Sequence, residues 1–251
     1  MRVLLAVKNL KKFFGGITAV NDVSLEIQEG EVGSIIGPNG AGKTTLFNLI
    51  TGKIKPDTGT VIFRGEEITG LPSYEICHKK IGRSFQITNI FPQLTVYDNI
   101  LVAILSAQGQ SRSIYKRAER IARKEVMAIL ESVGIADKRD ILGGLLAHGD
   151  QKRLDIGITL ANHPELLLLD EPTAGMSPEE TRMITELVQR LAREGNLAVV
   201  LIEHDMNVVF SISHIIRVMH QGKLIAEDGP EAIRRNRQVQ EIYLGTQEWT
   251  S

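Results

Sequence analysis

The sequence predicts an α/β fold: a β-rich opening, a helical middle, and a core of buried strands around a phosphate-binding loop. Three observations lead there. Gly37-Pro-Asn-Gly-Ala-Gly-Lys43-Thr44 stands between the apolar run Val32–Ile36 and the helix-like stretch Lys43–Ile50, giving the strand, glycine loop and helix of a phosphate cradle. Leu166–Leu169 and Leu197–Ile202 are short, uninterrupted apolar runs, as expected of parallel strands buried on both faces. Val96–Ser106 and Ile114–Val133 lack strand alternation, and Ile114, Ala118, Ile121, Val126, Ile129 and Val133 recur at roughly helical spacing.

The elements follow in order. Val23–Ile27 alternates apolar and polar residues, Glu29-Gly30 turns, and Val32–Ile36 makes the next strand. The helix Lys43–Ile50 is closed by Gly52; Pro56–Gly59 turns into a strand at Thr60–Phe63, ended by Arg64-Gly65. Gly134 stops the second middle helix, and another is expected after Gly149, to about Ala161, where His163-Pro164 breaks it. Ser177-Pro-Glu-Glu180 is a capping box opening a helix with Met183, Ile184, Leu187, Val188 and Leu191 as its buried stripe and Gly195 at its end. Ile215–Met219 and Lys223–Ala226 form a hairpin across Gln221-Gly222, and short helices finish the chain.

Composition narrows the classes. The 251 residues, 43% hydrophobic, 24% charged and 5% aromatic, exclude collagenous and wholly disordered chains. Lysine and arginine number 29 against 30 acidic residues, so no bulk cationic field recruits nucleic acid, and the basic face Lys116, Arg117, Arg120, Arg123 and Lys124 reads as solvated. One cysteine, Cys77, rules out an intrachain disulfide framework. No run approaches the ~18 apolar residues of a membrane span, and Val3–Val7, followed at once by Lys8, Lys11 and Lys12, is too short for a secretory core; a cytoplasmic protein is expected.

The chemistry concentrates where strands end. Glycines let backbone amides turn inward around phosphate, Lys43 reaches the outer phosphates, and the Thr44 hydroxyl suits magnesium. Asp170 and Glu171 follow a buried strand, where open α/β sheets place ligands: Asp170 for magnesium through water, Glu171 to orient the attacking water. His204 lies just past another core strand, placed to donate to the terminal phosphate or catalytic water, and the Gln86 amide oxygen suits magnesium coordination. Leu146-Ala147-His148-Gly149-Asp150-Gln151 before a helix is a second anion-binding start, whose natural use is to face a triphosphate held by a second subunit.

In that order these motifs resemble the nucleotide-binding subunit of an ABC transporter over nearly the whole chain. The resemblance implies a P-loop NTPase (RecA-like) core with an antiparallel β subdomain, and a helical subdomain carrying the signature segment Leu146–Gln151. One ATP-binding domain would span 1–251, with 87–161 helical and 1–86 plus 162–251 forming the β subdomain and core. ATP and Mg2+ are the implied cofactors. Asn39, Gly40, Ala41, Gly42, Lys43, Thr44 and Thr45 would cradle the nucleotide, Gln86 and Asp170 would serve the metal with Thr44, and Lys43, Glu171 and His204 would be catalytic. Phe14 would stack on adenine with Val20 beside base or ribose, unless both are simply core. Ala147, His148, Gly149, Asp150 and Gln151 would contact ATP on the other subunit, with Ala174–Ser177 as a dimer loop.

Within the family, Phe14-Gly15-Gly16, Phe91–Val96 and Asp170–Met176 look like the ATPases of branched-chain amino-acid importers. A second ATPase subunit, two permease chains and, indirectly, a periplasmic binding protein are then the partners, on the cytoplasmic face of the inner membrane. A urea or short-amide importer and a single-cassette lipid or lipopolysaccharide exporter are the alternatives. There is one departure: where the family usually has a signature serine, this chain has Ala147, and Asp150 adds a negative charge nearby.

Overall fold

The computed structural model describes residues 2–84, 89–107 and 115–243. The opening strands are long: β1 (Val3–Phe14) pairs antiparallel with β2 (Ile17–Gln28). Then come β3 (Val32–Ile36), α1 (Lys43–Ile50), β4 (Thr58–Phe63), β5 (Glu66–Glu67), α2 (Ser73–His78) and β6 (Ile81–Ser84). The helical stretch holds α3 (Val96–Ala107), α4 (Tyr115–Val133) and α5 (His148–Leu160). The chain returns through β7 (Leu166–Asp170), α6 (Pro178–Gly195), β8 (Ala198–Ile202), α7 (Met206–Ile212), β9 (Ile215–His220) and β10 (Lys223–Asp228), ending in α8 (Pro230–Arg235) and α9 (Arg237–Tyr243).

Two sheets result. One is antiparallel, in the order β2-β1-β4-β5; the other runs β10-β9-β3-β8-β7-β6, with every neighbour from β9 to β6 parallel and β10 an antiparallel edge. The continuous apolar runs of β7 and β8 are explained by burial on both faces. Leu166 and Leu168, with Ala198, Val200 and Ile202, join the core beneath the antiparallel sheet; Leu167 and Leu169, with Val199 and Leu201, join the core shared with α3 to α6. Burying each such leucine fully contributes about 1.5–3 kcal/mol.

The ends of the helices carry local explanations. The Ser177 hydroxyl accepts the Glu180 N–H while the Glu180 carboxylate accepts from Ser177, a complete capping box, and Asn196, just past Gly195, takes the left-handed turn that ends α6. α5 begins at His148, earlier than the sequence predicts, so His148, Gly149, Asp150 and Gln151 form its first turn and only Leu146 and Ala147 precede it. No helix among the described residues is long and apolar enough to cross a membrane.

Candidate nucleotide site

The loop after β3 is fixed by steric necessity. Gly37 has φ +152°, and a Cβ there would lie 2.1 Å from the Met219 carbonyl oxygen; at Gly42, φ +100°, a Cβ would lie 2.3 Å from the Ala19 oxygen. Only glycine fits either place. Gly40, also at positive φ, faces open space at the tip of the loop with Asn39 exposed beside it, while Ala41 is buried under it. Gly42 caps α1 without a side-chain bond, so the helix presents backbone N–H groups to the loop's concavity. Lys43 is buried, its Nζ donating to the Gly37 carbonyl at 2.5 Å and to that of Pro38 at 3.2 Å. Its ammonium therefore rests on the same loop whose amides would hold phosphate. Thr44 and Thr45 follow in the first turn of α1.

β7 and β8 end beside that loop, since β8 lies between β3 and β7. Asp170, only 3% exposed, closes β7, and its Oδ2 pairs with Arg83 Nη2 of β6 at 2.8 Å; Arg83 Nη1 in turn donates to Asn48 of α1 at 2.7 Å. Thr44, Arg83 and Asp170 line one cleft of about 800 Å³. A hydroxyl and a carboxylate on one cleft suit a hard cation that keeps waters and phosphate oxygens as its remaining ligands.

Glu171 takes φ +48°, sparsely populated for a residue with a side chain, held there by its N–H to the Ile202 carbonyl at 2.9 Å. This conformation turns the carboxylate toward the end of β8, where Glu171 Oε1 and His204 Nε2 stand 3.2 Å apart. Glu203 is almost fully buried. Its Oε1 accepts from the Thr173 N–H at 2.9 Å and hydroxyl at 2.7 Å, and its Oε2 from the His204 N–H at 3.1 Å. Burial pushes its carboxyl up, against the pull of those donors.

The signature segment lies at the start of α5. Ala147 occupies the cap position in extended conformation and has no side chain to bond the helix amides. Gln151 Nε2 donates to the Leu146 carbonyl at 3.1 Å. Asp150, whose charge the sequence presents as an added negative, is paired with Lys138 and stands 3.6 Å from Arg153, so two cations answer it within the chain. Gly149 lies against Glu180 of α6: a Cβ would come 3.1 Å from Glu180 Oε1.

The expectations about the adenine region divide. Phe14, at the end of β1, is 48% exposed, with Lys12 Nζ 5.5 Å from its ring centroid, and is free to receive a planar base. Val20 is a correction: fully buried in the core beneath the antiparallel sheet, it presents no surface to base or ribose and is core. Gln86 lies outside the described residues. Sequence reasoning missed Arg83, which no spacing marks, and Glu203, which reads only as the residue before His204.

Comparison with known proteins agrees with this geometry. Residues 20–174 match the ABC transporter family model, and residues 223–248 match that of the branched-chain amino acid ATP-binding cassette transporter. The chain is 42% identical over 249 residues to the high-affinity branched-chain amino acid transport ATP-binding protein LivG of Salmonella typhimurium, covering 96% of this chain and 98% of that one. A solved ATP-binding cassette of an ABC transporter in its ADP conformation superposes with a TM-score of 0.83 at 32% identity, covering 98% of this chain and all of the other. A dimeric bacterial ABC transporter cassette gives 0.77 at 29% identity, covering 90% and 99%. The chain belongs to the ABC transporter family, as one of its nucleotide-binding, ATP-hydrolysing cassettes.

Proposed function

We propose that the chain is the ATPase subunit of a branched-chain amino-acid importer, working as a dimer of cassettes, either two copies of this chain or one copy paired with a related ATPase, beneath two permease chains. A periplasmic binding protein would choose the solute, and the cassette would sit on the cytoplasmic face of the inner membrane. The likeness to LivG supports the cargo, and the likeness to a dimeric cassette supports the pairing. The domain division expected from the sequence fits this reading, with 87–161 as the helical part that carries the signature segment and the rest as β subdomain and core.

The observation that carries the reading is that the phosphate loop, the Asp170-Glu171 pair and His204 all follow the ends of the adjacent strands β3, β7 and β8, where open α/β sheets bind ligands. The amides of Asn39 to Thr45 cradle the phosphates, and Lys43 swings from the Gly37 and Pro38 carbonyls to the outer phosphates. Thr44 and Asp170, with Gln86, would hold Mg2+, which when bound would neutralise phosphate charge. Glu171 orients and takes a proton from the attacking water, and His204 fixes Glu171 and donates to the terminal phosphate. Phe14 stacks on the base. Ala147, His148, Gly149, Asp150 and Gln151 seal the nucleotide of the opposite subunit with the α5 start, and the Ala174–Ser177 loop lies at that seam. Binding of two nucleotides then favours the closed pair, and hydrolysis releases it.

The test is reconstitution with the permeases in vesicles. A leucine-, isoleucine- or valine-loaded binding protein should raise ATP turnover severalfold over the unloaded protein. Stimulation by urea or a short amide alone, or by a lipid with no binding protein, would replace this cargo with another.

A further inference from the structure

The ladder between β7 and β8 ends at the pair Asp170 and Ile202. Past that rung Glu171, at φ +48°, turns out of the strand while its N–H still bonds the Ile202 carbonyl. Two residues on, the chain is caught again by a side chain. Thr173 and Glu203, 7% and 3% exposed, meet there, with Glu203 Oε1 accepting the Thr173 N–H at 2.9 Å and its hydroxyl at 2.7 Å. Glu203 Oε2 accepts the His204 N–H at 3.1 Å. On its other side His204 adjoins Asp205, whose carboxylate caps α7 by accepting the Asn207 N–H at 2.8 Å. One side chain therefore carries the β7–β8 pairing beyond the last rung of the sheet and joins the two backbone segments that present Glu171 and His204 to each other.

A buried carboxylate costs free energy that a neutral side chain would spare, so its use here needs a reason. Three donors converge on it, from the Thr173 N–H, the Thr173 hydroxyl and the His204 N–H. A carboxylate meets them with two acceptor oxygens, whereas a glutamine would turn its own NH2 toward either Thr173 or the His204 N–H. We propose that Glu203 is a positioning residue that fixes the separation of Glu171 and His204 by tying Thr173 to the His204 backbone. This rests on the catalytic roles given above to Glu171 and His204. Without the tie, the segment from Glu171 to Thr173 can shift against the segment from Ile202 to His204. A displacement of about 1 Å at a water-orienting carboxylate is enough to cost much of the turnover.

The experiment uses the assembled transporter. Glu203→Gln, which keeps the shape and removes one acceptor, should lower kcat about tenfold, while KM for ATP stays within about twofold because the phosphate loop is untouched. The melting temperature of the chain at neutral pH should stay within a few degrees of the parent's, since position is lost and the fold is not. Thr173→Val, which keeps only the N–H donor, should fall between the parent and Glu203→Gln. Thr173→Ser, which keeps both donors, should stay within about twofold of the parent. Parental kcat in Glu203→Gln or in Thr173→Val, a Thr173→Ser variant as slow as Thr173→Val, a rise in KM that matches the fall in kcat, or a large drop in melting temperature beside it would each overturn the proposal. Parental turnover in Glu171→Gln or in His204→Ala would instead sink the catalytic roles on which it rests, and the proposal with them.

Discussion

Two helices begin at glycine-bearing starts that the proposed function turns toward nucleotide, α1 at Lys43 and α5 at His148, and the chain specifies them in different ways. Neither has a side-chain cap, in contrast to α6, whose box of Ser177 and Glu180 satisfies its own amides. Before α1, glycine is demanded by backbone: carbonyl oxygens of Met219 and Ala19 occupy the space a Cβ would need at Gly37 and Gly42. At α5, the nearest atoms to a Cβ on Gly149 would be side-chain atoms of Glu180, from Oε1 at 3.1 Å to Cδ at 3.5 Å, with no backbone among them. The first site is thus shaped by the backbone of the folded chain, whereas the second is shaped only by a side chain, and on the dimeric reading proposed above its glycine would serve the partner's nucleotide. A site finished within one chain is rigid before its ligand arrives; a site finished by a partner needs only an uncluttered helix start.

The sharpest way to break that contrast is to add one methyl group at each start. Gly42→Ala must move the Ala19 backbone as well as adopt φ +100°, at a cost of about 3 kcal/mol, and thermal unfolding of the isolated chain should show a melting temperature many degrees lower. Gly149→Ala lies inside α5, where alanine is the better helix former, so the isolated chain should change by less than about 1 kcal/mol. ATP turnover of the assembled transporter should nevertheless fall strongly. Equal destabilisation of the two isolated variants would erase the distinction.

The same contrast explains what the sequence made legible. The phosphate loop, β7, β8 and the α6 capping box were readable because each depends on local spacing that tertiary packing does not override. β1, twelve residues long, carries no legible strand alternation, because its pairing with β2 shifts register repeatedly between Val3 and Phe13 and such irregularities scramble the pattern that marks a strand. α2 and α7, of six and seven residues, are too short for a helical period to emerge. In the site, Lys43, Thr44, Asp170, Glu171 and His204 lie at strand ends that the sequence marks. The Arg83–Asp170 pair and the burial of Lys152 were invisible, because a cation within a polar stretch such as Gln151-Lys-Arg reads as solvated until three dimensions place carboxylates around it. Val20 shows the converse: its position in the strand, not its nearness to Phe14, decides its role.

A smaller effect sharpens the picture of the α5 start. Ala147→Ser supplies the missing cap, and its hydroxyl can accept an amide of the first turn, so the isolated chain should gain about 1 kcal/mol in denaturant titrations. ATPase activity of the assembled transporter should stay the same or rise. A clear loss would mean that the hydroxyl lies elsewhere than the nucleotide-facing end of the helix.

The smallest expected effect concerns pH. Burial holds the Glu203 carboxyl above its ordinary value near 4.5, so its contribution to stability is complete at acid pH and is lost as pH rises through the raised value. Glu203→Gln removes that titration. The melting temperature of the variant relative to the parent should therefore climb as pH rises above the ordinary carboxylate value. A constant offset would show that the donors from Thr173 and His204 outweigh burial.

The central claim, that each nucleotide is held by one chain and sealed by the α5 start of another, is tested most directly by light scattering of Glu171→Gln with ATP and Mg2+. With the water-orienting carboxylate removed the nucleotide persists, and the account predicts a stable dimer that reverts to monomer when Gly149→Glu is added. A protein that binds ATP yet stays monomeric, or a dimer indifferent to Gly149→Glu, would contradict it.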